Sequence, residues 1–415
     1  MIRELLPTAY TRHLSLPLLG PILDDFDDWL VTQGYRFNSR QSYVLRCTAI
    51  DTYFHKRRQT TLASLTPESL RKCSQYFRRR PGGISHTVGC LQRFLEGQQI
   101  VAVPNPRADT PFEAPVAAYL QYLSEVRGLS PSTVQQHEHT AWQLLRYQLD
   151  SDSNFRLADF TQAHIERFII YAGGRYGRSS LQHVISELRG FLRFLALRSE
   201  IPSRLDRQID APRAYRLEHL PRTVPWDTVT TLLGTIDRKC ASGVRDYAMF
   251  LLMAAYGLRG CDIASLRLDD IDWHAGEIHI NQSKTRHPLI LPLTDPVAAA
   301  LIAYLQEARP PATSRQVFLT AIAPVLPLTR QAPGYAFRFC VKQSGLTTQF
   351  HGIHCLRHSY AVHLLREGIP LKTIGDLLGH RSTESTCVYL RLDFEELREV
   401  ALPLPIPATG RETIS

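Results

Sequence analysis

Cationic side chains are concentrated in residues 351–368, HGIHCLRHSYAVHLLREG, where four histidines and two arginines interrupt an otherwise amphipathic helical pattern. His354 and Arg357 are three residues apart, so a helix places them on one face, while Leu356 and Tyr360 lie on an apolar face. The pattern predicts a helix that packs through one face and presents hydrogen-bond donors on the other. Donors of this kind bind anions such as phosphate oxygens.

Four more residues with reactive or cationic side chains occur at predicted turns and helix ends. Arg259 follows a very apolar helix in YGLRG, at a bend where a buried helix end can hold a guanidinium. Lys284 lies in SKTRH, at the predicted turn between two strands, from which its flexible ammonium can reach a ligand across the domain. His380 comes directly after a helix that is predicted to end at Gly379, and Tyr389 lies on the following helix.

Taken singly, each of these residues has an ordinary structural explanation. A histidine can be a satisfied core residue, an arginine a salt-bridge partner, a lysine an exposed turn residue and a tyrosine an aromatic packed on its own helix. Together, two arginines, two histidines, a lysine and a tyrosine are the groups that hold a phosphodiester, neutralise a pentavalent transition state and attack the phosphorus without a metal. The combination therefore predicts phosphoryl-transfer chemistry with a tyrosine nucleophile.

The segment that carries these residues differs in pattern from the rest of the chain. From residue 224 it is typical of helices, then GEIHI and HPLILPL alternate or run apolar like two strands of a hairpin, and helices follow again. A proline-rich linker at 101–111 and a Pro- and Arg-rich stretch from 201 to 225 interrupt the helical patterns. The sequence therefore predicts domains at 1–110, 111–215 and 216–415.

The first two hundred residues contain two stretches with the same order of apolar and turn residues. ILDDFDDWLVTQGYRF aligns with PVAAYLQYLSEVRGLS, and Ser39 and Ser132 are predicted to cap the helices that follow. LASLTPESL and LADFTQAHI continue the alignment, with Thr66 and Thr161 as caps of a third helix. The pattern predicts two duplicated four-helix modules, although amphipathic helices also produce weak repeats by chance.

Positive charge is in excess along the chain. Lys and Arg number 48 against 39 Asp and Glu, which gives a net charge of +9 and a pI near 9.2. Basic runs stand beside aromatic residues at 55–59 (HKRRQ), 71–80 (RKCSQYFRRR) and 175–178 (RYGR). Each run alone is typical of a solvated face. Together they indicate a surface that follows phosphates and favour a polyanionic partner, although a merely basic protein would have the same charge.

Cysteine spacing and hydropathy restrict the class of protein further. The eight cysteines are scattered without a Cys-x-x-Cys pair, so we expect reduced thiols and no zinc site. The N-terminal residues lack the layout of a signal peptide, and no segment has the length of a membrane span. The sequence therefore predicts no membrane partner and a cytoplasmic, nucleoid-associated location.

The motifs resemble those of the tyrosine recombinases, the phage-integrase superfamily, and the likeness covers residues 222–403. In that family an Arg in a Gly-Leu-Arg bend, a Lys in a hairpin, a His-x-x-Arg, a Leu-Gly-His and a Tyr nine residues after that His form the active site. The corresponding residues here are Arg259 in GLRG, Lys284 in QSKTR, His354 and Arg357 in HCLRH, His380 in LGH, and Tyr389. Asp262 stands where the family commonly has Glu, and would pair with or orient the same partners. Residues 112–202 resemble more loosely the family's core-binding domain.

The resemblance implies a mainly α fold, with two N-terminal helical, SAM-like core-binding modules followed by an α+β catalytic domain with a small antiparallel sheet. It implies that Tyr389 attacks the scissile phosphorus to give a 3′-phosphotyrosyl bond, with Arg259 and Arg357 on the non-bridging oxygens. His354 would assist proton removal from the tyrosine, His380 would donate to a phosphate oxygen, and Lys284 would be the general acid to the 5′ oxygen. No metal, ATP or other cofactor is implied.

The resemblance also implies double-stranded DNA as the partner and a homotetramer on two DNA sites, alone or with sister recombinases. A tail helix at 394–401 would dock on a neighbouring subunit or pack on its own domain. Integration or transposition of a mobile element is the favoured pathway, with resolution of cointegrates or chromosome dimers as the alternative. A type IB topoisomerase and a catalytically silent DNA-binding accessory protein are the rival classes. The tail helix and the core-binding-like module argue against the first, and the six filled catalytic positions argue against the second. The first module would be a second DNA clamp, an arm-site reader or an assembly surface.

Overall fold

The structure is a computed structural model that describes residues 2–78, 82–102, 110–202, 205–213, 221–283, 288–347, 352–380 and 382–392. Two predicted features lie outside these ranges: Lys284 and the tail helix at 394–401. The chain forms two compact units, one made of residues 1–102 with 219–415 and the other of residues 103–218. No helix in the described ranges combines the length and the apolar character that crossing a membrane requires.

The first module, residues 2–102, is entirely helical in its described part. Its helices are α1 (Ile2–Leu5), α2 (Tyr10–Leu14), α3 (Leu23–Thr32), α4 (Phe37–His55), α5 (Pro67–Arg78) and α6 (Ile84–Gly97). They pack around Phe26, Phe54 and Phe94, which are at most 1% exposed. As predicted, the Thr66 hydroxyl accepts from the amide of Ser69 at 3.1 Å and caps α5.

The second module, residues 110–213, repeats the order of elements found in the first. Its helices are α7 (Glu113–Gln121), which continues into a π-helical turn (Tyr122–Val126), α8 (Pro131–Ser151), α9 (Gln162–Gly173) and α10 (Arg178–Leu197). A 3₁₀ turn precedes the third helix in both modules, Leu62–Ser64 before α5 and Leu157–Asp159 before α9.

Two of the predicted helix caps are wrong by two or three residues. Ser39 lies inside α4, whose N-cap is Arg36, and Ser132 lies inside α8, whose N-cap is Ser130. Ser130 accepts from the Thr133 amide at 3.3 Å, because Pro131 already begins the helix.

The C-terminal segment, described from residue 221 to 392, combines helices with one small sheet. Its helices are α11 (Trp226–Thr235), α12 (Ala241–Tyr256), α13 (Gly260–Ser265), α14 (Asp295–Ala303), α15 (Ala332–Ser344), α16 (His354–Arg366), α17 (Leu371–Leu378) and α18 (Glu384–Cys387). Helix α12 is the centre of the core, since its apolar residues Met249, Phe250 and Leu252 are fully buried. A second, smaller cluster joins α16 and α17 to the residues after α18.

The sheet confirms the predicted hairpin and adds one short strand. Strands β1 (Ile271–Asp272), β2 (Glu277–Asn281) and β3 (Pro288–Pro292) are antiparallel in that order, with Ile278 opposite Leu291. Alternation along β2 buries Ile278 and Ile280 and exposes His279. The mainly helical fold with one small antiparallel sheet is therefore confirmed.

Candidate active site

Arg357 is buried on the inner side of α16, where it binds the carbonyl ends of two other helices. Its Nη1 donates to the Gly257 carbonyl and its Nη2 to the Leu378 carbonyl, each at 2.7 Å. These carbonyls lie at the C-terminal ends of α12 and α17, where helices leave acceptors unsatisfied and carry partial negative charge. Only 4% of Arg357 is exposed, so these two donors are directed at backbone carbonyls and not at solvent.

Gln282 connects the second arginine to the same carbonyl. Arg259, at the N-cap of α13, donates from Nη1 to Gln282 Oε1 at 3.0 Å. The amide of Gln282 donates in turn to the Leu378 carbonyl at 3.0 Å. Both guanidiniums are thus tied to one backbone oxygen, and Gln282 itself is 1% exposed. Burial, followed by repulsion from Arg259, lowers the pKa of Arg357 to about 10, which leaves it charged at neutral pH.

Asp262 anchors Ser283, the last described residue before Lys284. Its Oδ1 accepts from the amide of Ser283 at 3.0 Å and from the Ser283 hydroxyl at 2.9 Å. Its buried Oδ2 makes no hydrogen bond within the described residues and lies 3.9 Å from Arg259 Nη1. Asp262 therefore fixes the residue directly before Lys284 and also places a negative charge beside Arg259.

His380 lies directly after α17 and is oriented by a threonine. Gly379 has φ +62° and ends the helix, as predicted, and the His380 amide donates to the Gly375 carbonyl at 2.9 Å. Nδ1 of His380 lies 2.8 Å from the hydroxyl of Thr386, which is 1% exposed. Burial, followed by the charges of the two arginines, lowers the pKa of His380 to about 4. The ring is therefore neutral at pH 7, and a donating Thr386 hydroxyl leaves its proton on Nε2.

Tyr389 is enclosed between α16 and α17. It follows α18, which ends at Cys387, so the prediction that a helix carries it is wrong by two residues. Only 2% of Tyr389 is exposed, and it belongs to the cluster that contains Ala361, Leu365, Ile374 and Leu378. Burial raises the pKa of Tyr389, while the positive charges of Arg357 and Arg259 oppose that rise. Two cations thus stabilise the phenolate in a site that otherwise disfavours it.

His358 contacts the Tyr389 hydroxyl and was missed by the sequence reasoning. Its Nδ1 lies 3.0 Å from Tyr389 Oη, and burial lowers the pKa of His358 to about 4. His354, four residues earlier, is exposed and lines an open pocket of about 340 Å³ with Gly260 and Tyr335. The spacing of the two histidines was the available signal, because residues four apart share a helix face. Gln282 and Thr386 were also missed, since nothing in their local sequence distinguishes them.

Contacts among the described residues therefore bring together four of the six predicted site residues. Arg357 binds the Leu378 carbonyl directly, and Arg259 is linked to the same carbonyl through Gln282. The rings of His380 and Tyr389 stack at 6.5 Å between centroids and 15° between planes. His354 begins α16 on the exposed side, and Lys284 lies outside the described residues. This arrangement can bind an anionic phosphodiester and present a nucleophile to it. The groups involved are the guanidiniums of Arg259 and Arg357, the neutral rings of His358 and His380, and the hydroxyl of Tyr389.

Comparison with known proteins agrees with this chemistry. Residues 223–396 match the phage integrase family, and residues 116–199 match the phage integrase N-terminal SAM-like domain. The integrase/recombinase y4rA of Sinorhizobium fredii is 32% identical over 402 residues, which cover 94% of this chain and 97% of that protein. Tyrosine recombinase XerD of Listeria monocytogenes is 30% identical over 290 residues, which cover 68% of this chain and 95% of that protein.

A solved structure shows the same fold. The lambda integrase (75–356) dimer bound to a COC′ core site aligns with a TM-score of 0.51 and 19% identity, over 66% of this chain and 94% of that one. Both family domains occur here in order, and one relative is matched along nearly its whole length. The chain accordingly belongs to the tyrosine recombinase (phage integrase) family, whose members cleave and rejoin DNA.

Proposed function

We propose that this chain is a site-specific DNA recombinase that uses Tyr389 to form a 3′-phosphotyrosyl intermediate during integration or transposition of a mobile element. The observation that carries the proposal is the pair of arginines, Arg259 and Arg357, fixed to one carbonyl beside the Tyr389 ring. A pair of desolvated cations held in place before the substrate arrives is what a developing phosphorane charge requires.

In this proposal the two arginines bind the non-bridging oxygens of the scissile phosphate. Guanidiniums are planar donors that suit phosphate oxygens, and their attraction is stronger in a buried site than in water. Arg357 donates from Nη1 and Nη2 to backbone carbonyls, so its orientation is set before DNA binds. His380 would add a further donor through Nε2, because Thr386 occupies Nδ1.

The proton of the Tyr389 hydroxyl passes to the histidines of α16. His358 is neutral at pH 7 and lies 3.0 Å from the hydroxyl, which suits it as the first acceptor. His354 is the next ring along the same face and would assist when the tyrosine turns toward the DNA. The oxygen of Tyr389 then bonds to phosphorus, and the 5′ oxygen of the DNA leaves.

Lys284 is proposed as the general acid that protonates the leaving 5′ oxygen. The contacts from Asp262 to Ser283 support this role, because they fix the residue that precedes Lys284 within 2.9–3.0 Å of the carboxylate. The phosphotyrosyl bond keeps the energy of the broken phosphodiester. Attack by a 5′ hydroxyl from a second duplex therefore reseals the strand without ATP, and releases Tyr389.

The mobile-element pathway and the assembly belong to the same proposal. The relative y4rA, matched over 94% of this chain, is named an integrase/recombinase and supports the pathway. Tyrosine recombinase XerD is matched over 68% of this chain, a smaller share than for y4rA. Resolution of cointegrates or chromosome dimers is the alternative pathway. We further propose three domains, at 1–110, 111–215 and 216–415, and a homotetramer on two DNA sites.

Truncation after Arg391 should spare DNA binding and weaken tetramer assembly, and unchanged synapsis would contradict docking of the tail between subunits.

The proposal is tested by trapping the covalent intermediate. Purified protein is incubated with duplex DNA from the ends of the element that carries its gene, and adducts are resolved on a denaturing gel. We expect an adduct with wild type and with Tyr360→Phe, a half-buried tyrosine on α16, but none with Tyr389→Phe. Tight binding without an adduct on any end would instead support the catalytically silent accessory protein.

A further inference from the structure

The two N-terminal modules carry the same pair of tyrosines at the same places in their helices. Tyr53 lies 16 residues after the first residue of α4, and Tyr147 lies 16 residues after the first residue of α8. Tyr76 and Tyr171 each lie nine residues after the first residue of α5 and α9. The ring centroids are 4.9 Å apart at 49° in the first module and 4.8 Å apart at 38° in the second.

An arginine lies over each tyrosine pair, but it follows a different helix in each module. In the first module the Cζ atom of Arg57, just after α4, lies 3.7 Å from the centroid of Tyr53 and 5.5 Å from that of Tyr76. In the second module the Cζ atom of Arg175, just after α9, lies 4.4 Å from the centroid of Tyr171. The helical fold therefore does not dictate the source of the guanidinium, and what recurs is a surface that combines aromatic rings with positive charge.

This surface is exposed, and in the first module it is strongly basic. Tyr76 is 40% exposed and Tyr171 is 39% exposed. In the first module Arg57, Lys72 and Arg78 line a depression of about 600 Å³ beside the tyrosine pair. Glu68 pairs with Lys72 at 3.0 Å, but both side chains are more than 60% exposed, so water screens the pair and the surface stays attractive to anions.

The distribution of charge along the chain favours DNA over a protein partner. Residues 1–102 contain fourteen Lys and Arg against eight Asp and Glu, and so supply six of the nine excess positive charges. Residues 103–218 contain fourteen against thirteen. The excess charge thus lies mainly in the module that precedes the matched SAM-like domain at 116–199. A polyanion with a regular phosphate backbone is the partner that such a surface fits.

We propose that the first module binds the backbone of duplex DNA through the tyrosine–arginine surface formed by Tyr53, Arg57, Lys72, Tyr76 and Arg78. The inference rests on the proposed function only in taking DNA as the partner, and it gives the chain a contact with DNA in addition to its second module and active site. Arg57 and Lys72 contact phosphates, and the exposed edge of Tyr76 packs against the sugar–phosphate backbone.

Point substitutions in the full chain test the proposal. Deletion of the module would also remove the Gln33 carbonyl, to which the amide of Val325 donates at 3.2 Å. We compare Arg57→Ala/Lys72→Ala with Arg3→Ala/Arg12→Ala, which removes two exposed charges from α1 and α2 of the same module. The probe is a 60-base-pair duplex of random sequence, and its affinity is measured from low to moderate salt.

Each phosphate contact contributes about −0.9 to the slope of log K against log salt concentration. Arg57→Ala/Lys72→Ala should therefore make the slope less steep by about 1 to 2, and Arg3→Ala/Arg12→Ala should leave it within about 0.5 of wild type. Equal slopes in all three proteins would overturn the proposal. Altered self-association of Arg57→Ala/Lys72→Ala with an unchanged slope would overturn it in favour of a protein partner.

Adduct formation by the same variants separates this proposal from the proposed function. Arg57→Ala/Lys72→Ala should still form the covalent adduct on a saturating cleavage substrate, because neither residue belongs to the active site. If wild type forms no adduct but the slope changes as expected, the surface is supported and the recombinase activity is not. If the adduct forms and the slope does not change, the recombinase activity is supported and the surface is refuted.

Discussion

Replacement of Gly379 by alanine should disturb the arginine pair without touching either arginine. Gly379 has φ +62°, a left-handed conformation that costs a residue with a Cβ about 1–2 kcal/mol. A Cβ at this position would also contact the amide of Gln282, lying 2.5 Å from Gln282 Cδ. Gln282 must then move, and it loses its hydrogen bonds with Arg259 and with the Leu378 carbonyl.

The size of the effect follows from these two causes. Each hydrogen bond contributes about 0.5–1.5 kcal/mol, so loss of both adds about 1–3 kcal/mol to the left-handed penalty. Gly345 is a matched control, because it ends α15 with φ +66° and an added Cβ would meet nothing within 4 Å. Gly379→Ala should therefore unfold at a lower temperature than Gly345→Ala, by roughly 2–4 °C for each kcal/mol of difference. Adduct formation should fall at least about tenfold in Gly379→Ala alone.

A double substitution measures whether Gln282 transmits the effect of Gly379→Ala. In a Gln282→Ala background the added Cβ no longer meets an amide, so Gly379→Ala should cost only the left-handed penalty. Thermal or urea unfolding of the four proteins then gives a coupling free energy of about 1–3 kcal/mol. Costs that add within about 0.5 kcal/mol, or equal effects of Gly379→Ala and Gly345→Ala, would show that Gln282 does not transmit the change.

Lys284→Ala should slow adduct formation by about 10²–10⁴ on ordinary DNA. A substrate with sulfur in place of the leaving 5′ oxygen should restore the rate, since a thiolate leaves without a proton; no restoration would exclude the general-acid role. Thr386→Val should lower the adduct rate by about tenfold with unchanged DNA affinity, because Nδ1 of His380 loses its hydroxyl partner; equal rates would show that Thr386 does not orient the ring. The pKa of His358 is about 4 in the folded chain and near 6.5 when unfolded, so the unfolded state takes up the proton first and stability is lost as pH falls from about 6.5 toward 4. His358→Gln should remove up to about 1.4 kcal/mol per pH unit of that loss, as measured by unfolding at pH 7 and pH 5; parallel curves would contradict the burial of a neutral His358.

Local pattern was enough to predict the elements whose signals lie within a few residues. The hairpin from alternating residues, the Thr66 cap and the end of α17 at Gly379 are confirmed because each depends on neighbouring side chains or on one backbone angle. The caps at Ser39 and Ser132 are wrong because a nearby serine competes with the residue that actually leaves the helical conformation. Spacing alone does not distinguish the N-cap residue from a serine two or three residues further along the helix.

The contacts that organise the candidate site were beyond local pattern. Gln282 meets the Leu378 carbonyl across 96 residues, and Arg357 meets the Gly257 carbonyl across 100 residues. Helical spacing predicted that Arg357 and His354 share a face, but only the packing of α12 and α17 decides that Arg357 is buried while His354 is exposed. Tertiary packing also decides the position of His358, because its contact with the Tyr389 hydroxyl exists only when Tyr389 packs against α16.

The enclosure of Tyr389 bears on how strand cleavage at non-target DNA is avoided. A protein that scans DNA meets far more non-specific sequences than target sequences. A reactive tyrosine at its surface would cleave strands at the non-specific sequences as well. Here the hydroxyl is held by His358 inside an apolar cluster, with 2% of the residue exposed. In the proposed mechanism Tyr389 must therefore leave this cluster before it can attack a phosphate, which would separate DNA recognition in time from strand cleavage.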